Sequence, residues 1–370
     1  MKNYLMLYTT ILFYTCISNI VCMETNLSTY QPQPRSIIYA PWREDYINMV
    51  STTQHTPEES SNKPCVFCHI ISNKDNTKNF IVHRGEHSLV MLASQPYIDN
   101  GIHFLIIPYQ HTREISDLSA KTYKEENNLT QKLCALFANT CNEIYINTNQ
   151  GISAGASIPV HHHKHIIINN AARYYNLLQA MNQKNATIDL KALYKSIEPL
   201  ITTLPTVMVP KQSNCSLFNK DCYHCSIIKN YDQENFIIHR GKNVLAMISH
   251  YPTYSGEIDI LPNNHIESLE TMPAETYEEM NDLTTAIYPL LLKILNTQDS
   301  NIGILSYGSK AGHTEHIKQK IIPRKNSWNT SPITDAHHVS VNIKKFYRKL
   351  LAAWYESLWM NKHPQQTSKL

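Results

Sequence analysis

Ala154-Gly155-Ala156-Ser157-Ile158-Pro159-Val160-His161-His162-His163-Lys164-His165-Ile166-Ile167-Ile168 is the stretch from which the fold of this chain is read. A small-residue loop runs into alternating histidines and then into an apolar run, the pattern of a β-strand. Side chains at i, i+2 and i+4 of a strand share a face. His161, His163 and His165 are therefore expected in a row, with His162 and Lys164 on the far face. Imidazoles so placed can bind a metal, attack phosphorus, or divide the two roles. A solvated histidine patch is the plain alternative. The loop 151–157, small enough to let a phosphate approach backbone N–H groups, favours a functional site.

Outward from this stretch the chain repeats itself. Asn79-Phe80-Ile81-Val82-His83-Arg84-Gly85 returns as Asn235-Phe236-Ile237-Ile238-His239-Arg240-Gly241, and Thr122-Tyr123-Lys124-Glu125 as Thr276-Tyr277-Glu278-Glu279. Pro108-Tyr109-Gln110-His111 returns as Pro262-Asn263-Asn264-His265, and Cys65-Val66-Phe67-Cys68 as Cys222-Tyr223-His224-Cys225. Ordered matches at a shift of about 155 residues indicate one duplicated domain. Each copy reads as a C-x-x-C, strands (88–93 and 103–108 in the first), an amphipathic helix (120–142), and further strands (144–147 and 161–168). That is an α+β unit with a mostly antiparallel sheet. Helices are also predicted over 189–200 and 341–359.

At 370 residues with a net charge of +3, the chain has room for two domains and no charge argument for nucleic-acid binding. Lys2 followed by the apolar run 4–14 and small residues reads as a secretory signal, with a membrane anchor as the alternative. Export, to the outside or a periplasm, is the expected localisation. The expected organisation is 1–22 signal or anchor, 23–62 N-terminal arm, 63–176 first domain, 177–212 linker with a helix, 213–330 second domain, and 331–370 C-terminal helix. Nine cysteines in an exported chain suggest disulfides. Yet each C-x-x-C pair precedes a distant histidine-bearing segment, which is metal-ligand spacing. Cys134 and Cys141 are expected in the core.

Together, Cys65-x-x-Cys68, His103-Phe104-Leu105-Ile106-Ile107-Pro108-Tyr109-Gln110-His111, Asn149-x-Gly151 and the stretch 154–166 resemble the histidine-triad (HIT) family. The segment Ala40-Pro41-Trp42-Arg43-Glu44-Asp45-Tyr46-Ile47 and the passage 79–85 resemble its diadenosine tetraphosphate phosphorylase-like branch. The resemblance covers roughly 38–169, and more weakly 222–324. It implies tandem HIT-like domains packed as an intrachain pseudo-dimer, and a monomer in solution. It further implies structural Zn²⁺ on Cys65, Cys68, His111 and His161, and again on Cys222, Cys225, His265 and His316. Four N/S ligands suit a closed tetrahedral site with no open position for Lewis-acid chemistry.

By the same resemblance His163 is the nucleophile that forms a nucleotidyl-histidine and His165 assists it. Asn149, Gly155 and Ser157 would serve the substrate phosphates, and His103 supports the site from a neighbouring strand. The expected function is a nucleotidyl hydrolase or transferase acting on a nucleotide or dinucleotide, with an exported non-catalytic nucleotide-binding or effector module as the alternative. The second copy reads Lys318 and Lys320 where the first has His163 and His165, and Glu257 where it has His103. A protonated lysine cannot serve as this nucleophile. The second domain is therefore expected to be catalytically inactive, either binding a phosphate through its lysines or serving as a packing partner.

Overall fold

The computed structural model describes residues 65–98, 101–141, 143–169, 189–208, 219–230, 235–250, 252, 256–307, 316–324 and 342–362. The expected signal or anchor and the N-terminal arm lie outside the described residues. No helix among the described residues is long and apolar enough to cross a membrane. The first half runs α1 (Val66–Ser72), β1 (Ile81–Arg84), β2 (Ser88–Leu92), β3 (Gly101–Pro108), α2 (Ala120–Phe137), β4 (Glu143–Gln150), β5 (Lys164–Asn169) and α3 (Leu190–Ile201). The second half repeats that order as α4 (Tyr223–Lys229), β6 (Ile237–Arg240), β7 (Val244–Ile248), β8 (Ile258–Pro262), α5 (Ala274–Leu295), β9 (Asp299–Tyr307), β10 (Gln319–Arg324) and α6 (Ile343–Lys362).

The strands form one ten-stranded sheet in the order β1-β2-β3-β5-β4-β9-β10-β8-β7-β6. Every neighbouring pair is antiparallel. The fold is thus the expected α+β pair of HIT-like units, joined as an intrachain pseudo-dimer. Their seam is the β4–β9 ladder, in which Asn147 faces Gly303. Asn147 also pairs with His165, and Gly303 with Lys320. Corresponding residues of the two repeats therefore meet across the seam, which locates the pseudo-twofold axis.

Alternation along the strands sorts side chains onto two faces. Val90, Leu92, Phe104, Ile106, Ile144, Ile146, Ile166 and Ile168 join one core with α2, α3, α5 and α6, and that core is continuous through Ile302 and Ile304 into the second half. The opposite face holds two smaller clusters, one beneath each Cys-bearing helix: Phe67 with Leu89, Met91, Leu105 and Ile107, and Ile227 with Leu245, Met247 and Leu261. The histidines project from this second face.

The repeated motifs are scaffold. Phe80 and Phe236 both sit at φ 53°, where the chain turns into β1 and β6. Arg84 donates to the carbonyls of Ile71 (3.2 Å) and Asn73 (2.6 Å) at the end of α1, and Arg240 does the same for Ile228 (2.8 Å) and Asn230 (3.0 Å) at α4. Orphaned C-terminal carbonyls of both helices are thereby satisfied. Glu125 accepts the N–H groups of Glu86 and His87, each at 2.7 Å, and Glu279 accepts that of Asn243 at 3.0 Å. A Cβ on Gly85 would fall 2.5 Å from the Glu125 carboxylate, and one on Gly241 2.0 Å from that of Glu279. The two repeated motifs therefore touch each other, and the glycine exists for the glutamate.

Helices α3 and α6 also correspond. Tyr194 donates its hydroxyl to the Ile81 carbonyl at 3.3 Å, and Tyr347 donates to that of Ile237 at 3.0 Å. The helix that the sequence places in the linker and the one it places at the C-terminus thus occupy equivalent seats against β1 and β6.

Candidate functional site

The strand expected over 161–168 begins at Lys164. Only His165 of the row lies in β5, while His161 and His163 lie in the segment leading into it. The cause is Pro108, which ends β3 and has no N–H to extend the ladder. The chain leaves the sheet there, and His162 N–H bonds to the Thr112 carbonyl at 2.6 Å. Alternation survives this departure: the His163 and His165 rings lie 4.9 Å apart on the face of α1.

His161 closes the first of two Cys2His2 clusters. Its Nδ1 lies 3.4 Å from Cys65 Sγ, 3.7 Å from Cys68 Sγ and 3.2 Å from His111 Nδ1, with Cys68 Sγ 3.1 Å from His111 Nδ1. Ligands on one tetrahedral zinc would stand about 3.3–3.8 Å apart, given usual Zn–N and Zn–S lengths. The four atoms therefore fit one metal. His161 Nε2–H donates to the Pro108 carbonyl at 3.0 Å, leaving the Nδ1 lone pair for the metal. Burial lowers the pKa of this ring to about 4, which keeps the lone pair available. Cys222, Cys225, His265 and His316 form the second cluster, and His316 Nε2 bonds Pro262 O at 2.9 Å. Burial lowers His316 likewise to about 4.

His163 has a different bond. Its Nδ1–H donates to the carbonyl of His161 at 2.9 Å, so the proton sits on Nδ1 and the ring's lone pair on Nε2. The Tyr97 N–H donates to His103 Nδ1 at 3.1 Å, so His103 carries its proton on Nε2. That proton is donated to His165 Nδ1 at 2.9 Å, which fixes the His165 proton on Nε2. The Tyr97 ring stacks on His165 at 5.2 Å and 24°. A lone-pair nitrogen on His163 and a donor nitrogen on His165 are thus set side by side by backbone groups. Tyr97 has no sequence motif to announce it.

Asn149 and the loop complete this face. Asn149 accepts from Asn147 Nδ2 at 2.5 Å and donates toward the Tyr97 hydroxyl at 3.5 Å. Gly151 and Gly155 take φ 88° and 89°, the left-handed region that favours glycine. The loop amides of Ala154, Gly155 and Ala156 are spent on the carbonyls of Gly151 and Ile152, at 3.2, 2.8 and 3.1 Å respectively. The open backbone cradle expected of 151–157 is therefore corrected for these three residues. Ser157 follows them, half-buried.

The far face is buried rather than solvated. Ile115 N–H fixes Gln150 Oε1 at 2.8 Å, so the Gln150 amide nitrogen donates to His162 Nδ1 at 3.3 Å. His162 Nε2–H then donates to Glu126 Oε2 at 3.2 Å. Lys164 donates to Asn127 Oδ1 at 3.1 Å. Burial lowers its pKa, while Glu126 opposes that shift. Polarity at 162 and 164 is thus absorbed by α2.

Against known proteins, a HIT-domain family model matches residues 74–171. Residues 74–171 are a HIT domain. An AP-4-A phosphorylase of Mycobacterium tuberculosis (strain CDC 1551 / Oshkosh) is 27% identical over 132 residues, 35% of this chain, and the same figures hold for that of strain H37Rv. The matched part spans 66% of the length of those relatives. A uridylyltransferase structure superposes at a TM-score of 0.54 and 14% identity, over 74% of this chain and 86% of its own. An Arabidopsis thaliana ADP-glucose phosphorylase superposes at 0.51 and 16%, over 72% and 80%. These two share the fold, and their coverage exceeds one HIT domain.

The HIT-like second half carries a different site. Lys320 pairs with Glu257, and with Asp259 Oδ1 at 3.3 Å, while Lys318 lies 3.9 Å from Asp259 Oδ2 and 3.4 Å from His224 Nε2. Burial alone would raise the Asp259 carboxyl, but Lys320 and Lys318 hold it down at about 2. Two lysines thus face two acids, and the excess positive charge needed for a phosphate is neutralised from within.

Proposed function

We propose that the first half is a nucleotidyl hydrolase or transferase working through His163, that both Cys2His2 clusters hold structural zinc, and that the second half does not turn over. The observation that carries this reading is the opposite polarity of neighbouring rings. His163 offers a lone pair on Nε2, and His165 offers N–H on Nε2. In the first step His163 Nε2 attacks the α-phosphorus of a nucleotide phosphoanhydride or phosphoramidate. The P–N bond forms, the bond to the leaving group breaks, and its electron pair departs with that group. His165 donates toward the developing negative charge, Asn149 Nδ2 and Ser157 contact the phosphate, and Gly155 shapes the loop that carries Ser157. In the second step water or phosphate attacks the same phosphorus and returns the P–N electrons to His163. Splitting one displacement in two is what a neutral imidazole supplies. Zinc on closed sets of four ligands would fold and anchor α1 and α4 and takes no part in these steps.

The AP-4-A phosphorylase relatives support a dinucleotide polyphosphate as the first substrate to try. Incubation with diadenosine tetraphosphate, an alkaline quench and peptide mass spectrometry should place an adenylyl group on His163, and His163→Ala should abolish both adduct and turnover. Turnover surviving undiminished in His163→Ala would overturn the mechanism.

A further inference from the structure

We infer that Asn301 and Arg324 of the second half are positioning residues for the reaction at His163 in the first. The inference rests on the transfer reading above and assigns the second half a role within it. A guanidinium can only donate. Arg324 Nε donates to Asn301 Oδ1 at 2.6 Å, which fixes the orientation of the Asn301 amide. Asn301 Nδ2 must then face the seam, where it donates to Asn149 Oδ1 at 2.7 Å and to the Ala154 carbonyl at 2.8 Å. With Asn147 donating as well, the acceptor side of Asn149 is occupied. Its Nδ2 is turned toward Tyr97, whose ring lies against His165. Hydrogen-bond polarity thus runs from β10 of the second half to the Tyr97 hydroxyl, and the Tyr97 ring stacks on His165 beside the nucleophile.

Two further facts separate this arrangement from ordinary sheet packing. Asn149, Asn301 and Arg324 are 6%, 6% and 8% exposed, and a buried guanidinium is costly for mere adhesion. The arrangement is also one-sided. Across the pseudo-twofold axis the seam pairs Tyr145 with Leu305, and the end of β5 corresponding to Arg324 carries Asn169. Asp299 of the second half closes on the same loop, for a Cβ on Gly151 would lie 1.9 Å from its carboxylate. The half without His163 and His165 orients the half that has them.

The test uses the full chain. Asn301→Asp keeps an acceptor for Arg324, so the pair and the fold persist, but it removes the donor that faces Asn149. Diadenosine tetraphosphate turnover should fall about tenfold in kcat with KM little changed, the size of one net hydrogen bond. In an Asn149→Ala background the same substitution should cost nothing further, because Asn301 acts through Asn149. Side-chain amide NMR of asparagine-labelled protein, with Asn149→Ala as the assignment, gives a readout independent of turnover. Asn301→Asp and Arg324→Ala should each move the Asn149 amide pair. Unmoved resonances, or a kcat loss that adds fully to that of Asn149→Ala, would overturn the inference. If the unaltered chain shows no turnover, the transfer reading fails while the resonances still decide the orientation.

Discussion

At the scale of single residues, backbone carbonyls divide the histidine row. Pro108 O takes the Nε2 proton of His161 and His161 O takes the Nδ1 proton of His163, so the first ring keeps its lone pair on Nδ1, within the Cys2His2 cluster, and the second keeps its lone pair on Nε2. The row itself was legible, because alternation is a local property. The tautomers were not, because they depend on Pro108 and Tyr97, which only the fold brings near. This division carries a metal prediction. The chain should hold two zinc ions, and Cys65→Ser and Cys222→Ser should each leave one, as read by mass spectrometry under non-denaturing conditions; two ions retained in either variant would refute that ligand set. Acid should act in the same direction. Burial keeps His161 neutral down to about 4 in the folded chain, whereas an unfolded ring protonates near ~6.5. Between those values the unfolded state binds more protons, so this ring's share of stability is complete above the upper value and is lost as pH falls toward the lower one.

At the scale of elements, the packing of β5 and the residues leading into it against α2 differs between the repeats. The first half buries His162, Lys164 and Glu126 there, and the second fills the same places with Ile317, Gln319 and Met280, all buried. Gln319 donates to Thr284 at 2.7 Å, and Thr130 stands at the matching position of α2. The second half is thus a natural demonstration that the site packs without charge. Glu126→Met alone should cost about 3 kcal/mol by removing the acceptor of His162 and the charge that offsets the burial of Lys164. Adding His162→Ile and Lys164→Gln should recover most of that loss, as measured by urea denaturation. A triple variant no more stable than the single one would show that the two interfaces are not interchangeable. His162 and Lys164 were legible on this face, but Glu126 and the burial were not, since the pattern of β5 alone does not show what α2 places opposite. Helices α3 and α6 were both legible, but their correspondence escaped for a related reason. Their equivalence rests on one tyrosine hydroxyl each, without a shared motif.

At the scale of the molecule, the two halves share one sheet and one of its cores. The duplication was legible from the repeated motifs, but the β4–β9 seam was not, because strand pairing between repeats leaves no periodic mark. That seam determines how the chain should open. β4 and β9 are the two central strands of ten, with four neighbours outward on each side. Their inward residues Ile144, Ile146, Ile302 and Ile304 belong to the core that runs through both halves. Parting the halves would expose those residues and unpair eight register positions together, from Glu143↔Tyr307 to Gln150↔Ser300. Hydrogen exchange in a protein follows the cheapest opening available to each amide. Fraying is cheapest at β1 and β6, the sheet edges, where the ladders carry a bulge beside Ile81 and Ile237. Amides of β4 and β9 should therefore exchange only through global unfolding, with the same free energy on both strands and the same response to denaturant. If β4 and β9 exchanged together at a lower free energy than β3 and β8, the halves would be separating as intact units. The second half would then be a detachable neighbour, and it could not hold Asn149 in place through a seam that opens first.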